Sequence, residues 1–177
     1  MSCNVEKAKP ICDIQPKIYD NKYAKEYEYY PYYDIDIAKQ CSYQTGRPIL
    51  IIFTGWNCMS QRGWEWKPLE SKKIKKMIDD NFILCALYVD DKTKLEAIDT
   101  VKIDSVYIPI KTLGQKNSYI ENHYFNINSQ PYYAIVDYKM KCYGKPMGIN
   151  SKTIFADFLD QGLKDKLNND PAGQNVR

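Results

Sequence analysis

Two uninterrupted apolar runs, Ile49–Phe53 and Phe82–Val89, do most to limit what this chain can fold into. Runs of that length without polar alternation suit strands covered on both faces. The stretch between them is helical in pattern, so the two strands are expected to lie adjacent and parallel in one sheet. The first run then ends in a short turn, Thr54-Gly55-Trp56-Asn57, which delivers Cys58 to the start of a helix that Met59-Ser60-Gln61-Arg62 can open.

The remaining pattern fills in around this unit. Asp34 can cap a helix with Ile37, Ala38 and Cys41 inward, ended by Gly46. Pro68 should kink or break the helix that begins near residue 58, and Leu69–Asn81 resumes it with Ile74, Met77 and Ile78 on one face. Residues 91–111 read as a poorly patterned insertion with room for a short hairpin, and Gly114–Phe125 as a helix. Tyr132–Val136 is a strand, Cys142–Met147 an edge strand limited by Pro146, and Ser151 caps a last helix with Ile154, Phe155, Phe158 and Leu159 inward. The expected class is α/β, a mixed central sheet flanked by helices, with an insertion before the third strand.

Three stretches follow: a Tyr-rich N-terminal extension over residues 1–32, a domain over 33–168 and a tail over 169–177. Seven of the 16 tyrosines fall from Tyr19 to Tyr33. Tyrosine has an apolar ring and a polar tip, so this segment either packs on its own domain or forms a second interface. A net charge of +3 gives no reason to expect nucleic acid. No apolar run reaches the roughly 20 residues of a membrane span. Six cysteines and one histidine show no zinc spacing, so neither metal nor cofactor is expected.

Several stretches resemble the C-terminal thioredoxin-like domain of DsbD-type thiol:disulfide interchange proteins. They are Phe53-Thr54-Gly55-Trp56-Asn57-Cys58, Leu87-Tyr88-Val89-Asp90-Asp91-Lys92, Leu113-Gly114 with Ser118-Tyr119, and Phe125 with Asn128-Ser129-Gln130-Pro131-Tyr132-Tyr133. The likeness spans about residues 33–168 and implies a thioredoxin-like fold. That family's motif is G-W-x-C-x-x-C. Gly55, Trp56 and Cys58 match it, and Gln61 replaces the second cysteine. The aspartate that the family tends to carry six residues before the first cysteine is Ile52 here. Glu65 matches an acidic position four beyond the second cysteine, and Pro131 the cis-proline that faces the thiols. The resemblance also implies the periplasm or cell envelope. The chain as given carries no hydrophobic signal core, which leaves a cytoplasmic location open.

Cys58 is the candidate nucleophile. Unpaired N–H groups and the dipole at a helix start favour the thiolate, lowering cysteine pKa from about 8.5 toward roughly 3.5–7.5, and Arg62 would add to this. With Gln61 in the C-x-x-C pattern and Ile52 upstream, neither a local resolving thiol nor a proton acceptor is supplied. Cys41 and Cys85 read as core residues, Cys142 as near a turn, and Cys3 and Cys12 as part of the extension. Trp56, Gln61, Gln130 and Tyr132 are candidate binding residues around Pro131, where an extended peptide can add as a strand. Trp64 and Trp66 flank the same surface, and His123 reads as a helix-surface residue.

Three functions are compatible with these residues. One is a thioredoxin-fold protein with impaired dithiol chemistry that binds a protein or peptide at the Cys58/Pro131 face. The second is a single-cysteine oxidoreductase or isomerase forming mixed disulfides through Cys58. The third uses a distant resolving cysteine.

Overall fold

The computed structural model describes residues 12, 29–56, 67–103, 105–148 and 151–169. Helix α1 (Ile35–Thr45) leads into strand β1 (Ile49–Thr54). A 3-10 turn (Lys67–Glu70) and helix α2 (Lys72–Asn81) precede β2 (Ile83–Tyr88). A hairpin of β3 (Lys94–Ile103) and β4 (Val106–Thr112) follows, then α3 (Leu113–Phe125), β5 (Tyr132–Val136), β6 (Cys142–Gly148) and α4 (Lys152–Asn169).

The main sheet has the order β2-β1-β5-β6. β1 and β2 are parallel, from Ile49 opposite Ile83 to Thr54 opposite Tyr88, while β5 runs antiparallel to β1 and β6 antiparallel to β5. Every residue of β1 and β2 is buried, as continuous apolar runs require. Alternate side chains divide between two cores. Leu50, Ile52, Leu84, Tyr133 and Ile135 pack under Ile74 and Ile78 of α2 and Phe155, Phe158 and Leu159 of α4. Ile49, Ile51, Phe53, Cys85 and Leu87 pack under Ile35, Ala38 and Cys41 of α1 and Ile120 of α3.

Local signals explain the element ends. Asp34 accepts from the Asp36 N–H at the start of α1, and Gly46, with φ of 67°, closes it. Thr112 and Gln115 form a reciprocal capping box at the start of α3. Pro68 is buried in the 3-10 turn, and the helix expected to resume at Leu69 begins only at Lys72; the helix expected from near residue 58 lies outside the described residues.

Three expectations need correction. Ile37 is 38% exposed, because the inward stripe of α1 runs through Ile35, Ala38, Cys41 and Ser42. Ile154 is 47% exposed for the same reason, since Phe155, Phe158, Leu159 and Gly162 are the buried positions of α4. The insertion is a long two-stranded sheet of its own, not a short hairpin.

Residues 29–33 are part of the folded body. Tyr29 is buried, and its hydroxyl donates to the Leu69 carbonyl at 2.8 Å. Tyr32 N–H donates to Leu84 O and Ala86 N–H to Tyr32 O, each at 2.8 Å, so this segment adds to the open edge of β2. Tyr33 is buried against Ala86 and Tyr88, whereas Tyr30 faces solvent. Tyr19, Tyr23 and Tyr27 lie outside the described residues, as do residues 170–177. Among the described residues no helix is long and apolar enough to cross a membrane.

Candidate functional site

The end of β1 and the start of β5 are brought together by register. Phe53 pairs with Tyr132, which places the Gln130–Pro131 segment beside the Thr54–Gly55 end of β1. The Gln130–Pro131 peptide bond is cis, and Pro131 is buried. Cys58, Gln61 and Glu65 lie outside the described residues, together with Arg62, Trp64 and Trp66. The candidates that can be placed are Trp56, Gln130, Pro131 and Tyr132.

The turn after β1 is held by Asp90. Its Oδ1 accepts from the Trp56 N–H at 2.7 Å. A Cβ on Gly55 would sit 3.4 Å from Asp90 Oδ2, so glycine leaves the carboxylate its place. The Trp56 ring stacks on Tyr88, with centroids 4.0 Å apart and planes inclined by 16°, and remains half-buried. Tyr88 in turn lies against Tyr33. Trp56 is thereby fixed on one face by an aromatic neighbour.

The turn before β5 is held by Glu121, on α3. Its side chain is fully buried. Oε1 accepts from the Ser129 N–H at 3.3 Å, and Oε2 accepts from Gln130 Nε2 at 2.7 Å. Burial pushes the Glu121 carboxyl up to about 6, against the opposing effect of those two donors. Next to it, Asn117 is buried and donates to the Tyr88 carbonyl at 2.9 Å. Gly114 lets the start of α3 approach the end of β2: a Cβ there would come within 2.5 Å of Asp91 N. Tyr132 is half-buried, its phenol raised mainly by burial and then by the charges of Cys142 and Glu121.

Sequence reasoning missed Glu121 and noted Asp90 only within the stretch Leu87–Lys92 that carries the resemblance. The spacing in the sequence shows which residues share a face with Glu121, and the fold shows that this face is inward. Gly114, Asn117 and Glu121 recur at helical spacing on one face of α3, so an acid stands on the inward stripe. His123 is exposed and stacks on Tyr119.

Three other thiols that can be placed, those of Cys85, Cys41 and Cys142, are poor resolving groups. Cys85 is sealed in β2, and burial raises its thiol well above the ordinary range. Cys41 is fully buried, with its sulfur 3.5 Å from the Tyr32 hydroxyl. Cys142 is exposed on β6, yet partial burial of its sulfur and the charge of Asp165 push its thiol up. Among the described residues no group of three His, Cys, Asp or Glu side chains is placed to hold a metal ion.

The solved structure of a DsbH oxidoreductase is similar to this chain, at 20% identity and a TM-score of 0.52, covering 72% of this chain and 79% of that one. A thioredoxin-fold protein from Helicobacter pylori aligns over 74% of each chain at 17% identity, with a TM-score of 0.39. No family model matches the chain. No curated protein matches it either. The DsbH likeness shows the fold: the chain is an α/β protein with a thioredoxin-like fold.

Proposed function

We propose that this chain is a DsbD-like thioredoxin-fold module with a degenerate C-x-x-C, impaired in dithiol redox chemistry, that binds an extended peptide or a protein partner. The binding face is the end of the sheet that carries Trp56, Gln130, Pro131 and Tyr132, with Cys58 following in the chain. The observation that carries the reading is Ile52. It is fully buried among Leu50, Tyr133 and Phe155, so the position at which the resembled family carries a proton acceptor is hydrocarbon. With Gln61 in place of a second cysteine, a mixed disulfide at Cys58 would have no local thiol to release it. The raised or sealed thiols of Cys85, Cys41 and Cys142 give a distant resolving route little support. The resemblance supports the periplasm or cell envelope as the location of such a module.

A second reading is favoured by Cys58 itself, kept in the Gly55-Trp56-x-Cys58 frame. There the Cys58 thiolate attacks one sulfur of a substrate disulfide, a new S–S bond forms, and the other sulfur leaves as thiolate. A thiol from solution then releases the product. Surface-immobilised protein and a panel of extended peptides, each carrying a disulfide, separate the two. Partner binding predicts capture that survives Cys58→Ser and is lost in Trp56→Ala. Capture lost in Cys58→Ser, with a peptide adduct on Cys58 by mass, would overturn it in favour of the single-cysteine reading.

A further inference from the structure

Glu121 and Gln130 form a closed hydrogen-bonding pair beneath the proposed binding face. An ionised carboxylate only accepts, so the NH2 end of the Gln130 amide is the end that can face Oε2 at 2.7 Å. The other end of that amide, Oε1, makes no hydrogen bond within the described residues and is not a sealed atom. It is therefore open to solvent on a half-buried side chain. A proton placed on Glu121 Oε2 reverses the requirement. That oxygen becomes a donor, two donors then point at each other, and the pairing is restored only if Gln130 turns its C=O inward. The terminal torsion of glutamine is broad and close to two-fold, so a half-turn is sterically accessible. While the proton sits on Oε2, Ser129 N–H keeps its acceptor at Oε1.

We infer that Glu121 is a positioning residue that sets the hydrogen-bonding polarity of Gln130: ionised, it leaves an acceptor facing outward, and protonated, it leaves a donor. Seen through the proposed binding role, on which this meaning rests, the face asks a partner for an N–H group at neutral pH and for a C=O group in acid. The groups acting on Glu121 are Ser129 and Gln130 from the preceding loop. From β5, the Tyr132 phenol feels its charge. Burial brings the switch to about pH 6.

The test is solution NMR on the full chain, labelled with carbon-13 and nitrogen-15, titrated from pH 4.5 to 8. The Glu121 carboxyl carbon should titrate near pH 6, and the Gln130 side-chain amide signals should move with the same midpoint. In Glu121→Gln the pH response of Gln130 should disappear. In Gln130→Ala the Glu121 midpoint should rise, because the charge-assisted bond that Gln130 donates to the ionised form is stronger than the neutral bond it accepts from the protonated form. Gln130 signals that stay still while Glu121 titrates, or that follow a different midpoint, would overturn the inference. If Glu121→Gln does not fold, an unchanged Glu121 midpoint in Gln130→Ala would overturn it alone. No partner takes part in these measurements, so their failure is distinct from failure of peptide capture.

Discussion

The two faces of the main sheet treat buried polarity in opposite ways. On the face under α2 and α4, Leu50, Ile52, Ile135 and Phe155 make an apolar layer whose buried polar groups include the Tyr29 and Tyr133 hydroxyls, the first tied to a backbone carbonyl. On the face under α1 and α3, the layer of Ile49, Ile51, Phe53 and Ile120 adjoins a buried Glu121 and a buried Asn117, each bonded to a backbone or loop group. The same sheet thus excludes a carboxylate at position 52 and keeps one at position 121. A buried acid is costly unless donors meet it. Glu121 has Ser129 and Gln130, and its donors belong to the loop that leads into Pro131. The acid on the polar face is spent on holding that loop.

Placing an acid on the hydrocarbon face is the strongest way to break this contrast. Ile52→Asp should lower stability at pH 7.5 by on the order of 4–5 kcal/mol through its proton equilibrium alone, from the 3–5 pKa units that full burial can impose, because a folded pKa above 7.5 adds nothing further at that pH. The folded state would hold its proton more tightly than the unfolded state. This part of the loss should therefore be small near pH 4, where the cost of the missing apolar packing remains, and grow as pH rises to the raised folded pKa. Urea unfolding across that range measures it, and a variant as stable as the parent at pH 7.5 would show that the face tolerates charge.

Opening a cavity on the same face comes next. Tyr29→Ala removes a fully buried ring and its bond to Leu69, and should cost about 3–5 kcal/mol. Thermal melting of the full chain checks it. A change below about 0.5 kcal/mol would mean that Tyr29 lies on the domain without contributing to it.

The polar face should give a smaller effect with the same pH direction. The Glu121 carboxyl rises from 4.5 to about 6 on folding, so the native state binds the proton more tightly. Stability is then greatest below about pH 4.5, falls as pH rises to about 6, and is level above that. The total fall is about 2 kcal/mol at 1.36 kcal/mol per unit. Glu121→Gln should remove that slope. Unfolding midpoints at pH 4.5 and 7 compare the two proteins, and an unaltered slope would place its origin in another group.

The contrast also separates what was legible in the sequence from what was not. Strands β1 and β2 could be read because burial on both faces leaves no room for polar residues between Ile49 and Phe53. The caps of α1 could be read from Asp34 and Gly46, whose side chain and left-handed φ act locally. The β3–β4 hairpin was underestimated although Val106, Ile108 and Ile110 alternate. Val106 and Ile108 are exposed and Ile110 is buried, so most of the alternation has no covered face to anchor it. Glu121 was passed over because a glutamate in a helix usually marks the solvated side. Only the register of α3 against β2, fixed by the close approach at Gly114, turns it inward. The replacements at Gln61 and Ile52 were legible in the sequence through the motif, and the environment of Ile52 came only with the fold.

The central claim, impaired dithiol chemistry, is tested most directly by catalysed reduction of insulin disulfides with a small-thiol regenerant. The native chain is compared with Gln61→Cys. Residues three apart on a helix share a face, so the variant should form a disulfide between positions 58 and 61 and gain turnover. The account predicts no turnover above the uncatalysed reaction for the native chain and measurable turnover for the variant. A native chain that turns over as fast as Gln61→Cys would contradict it.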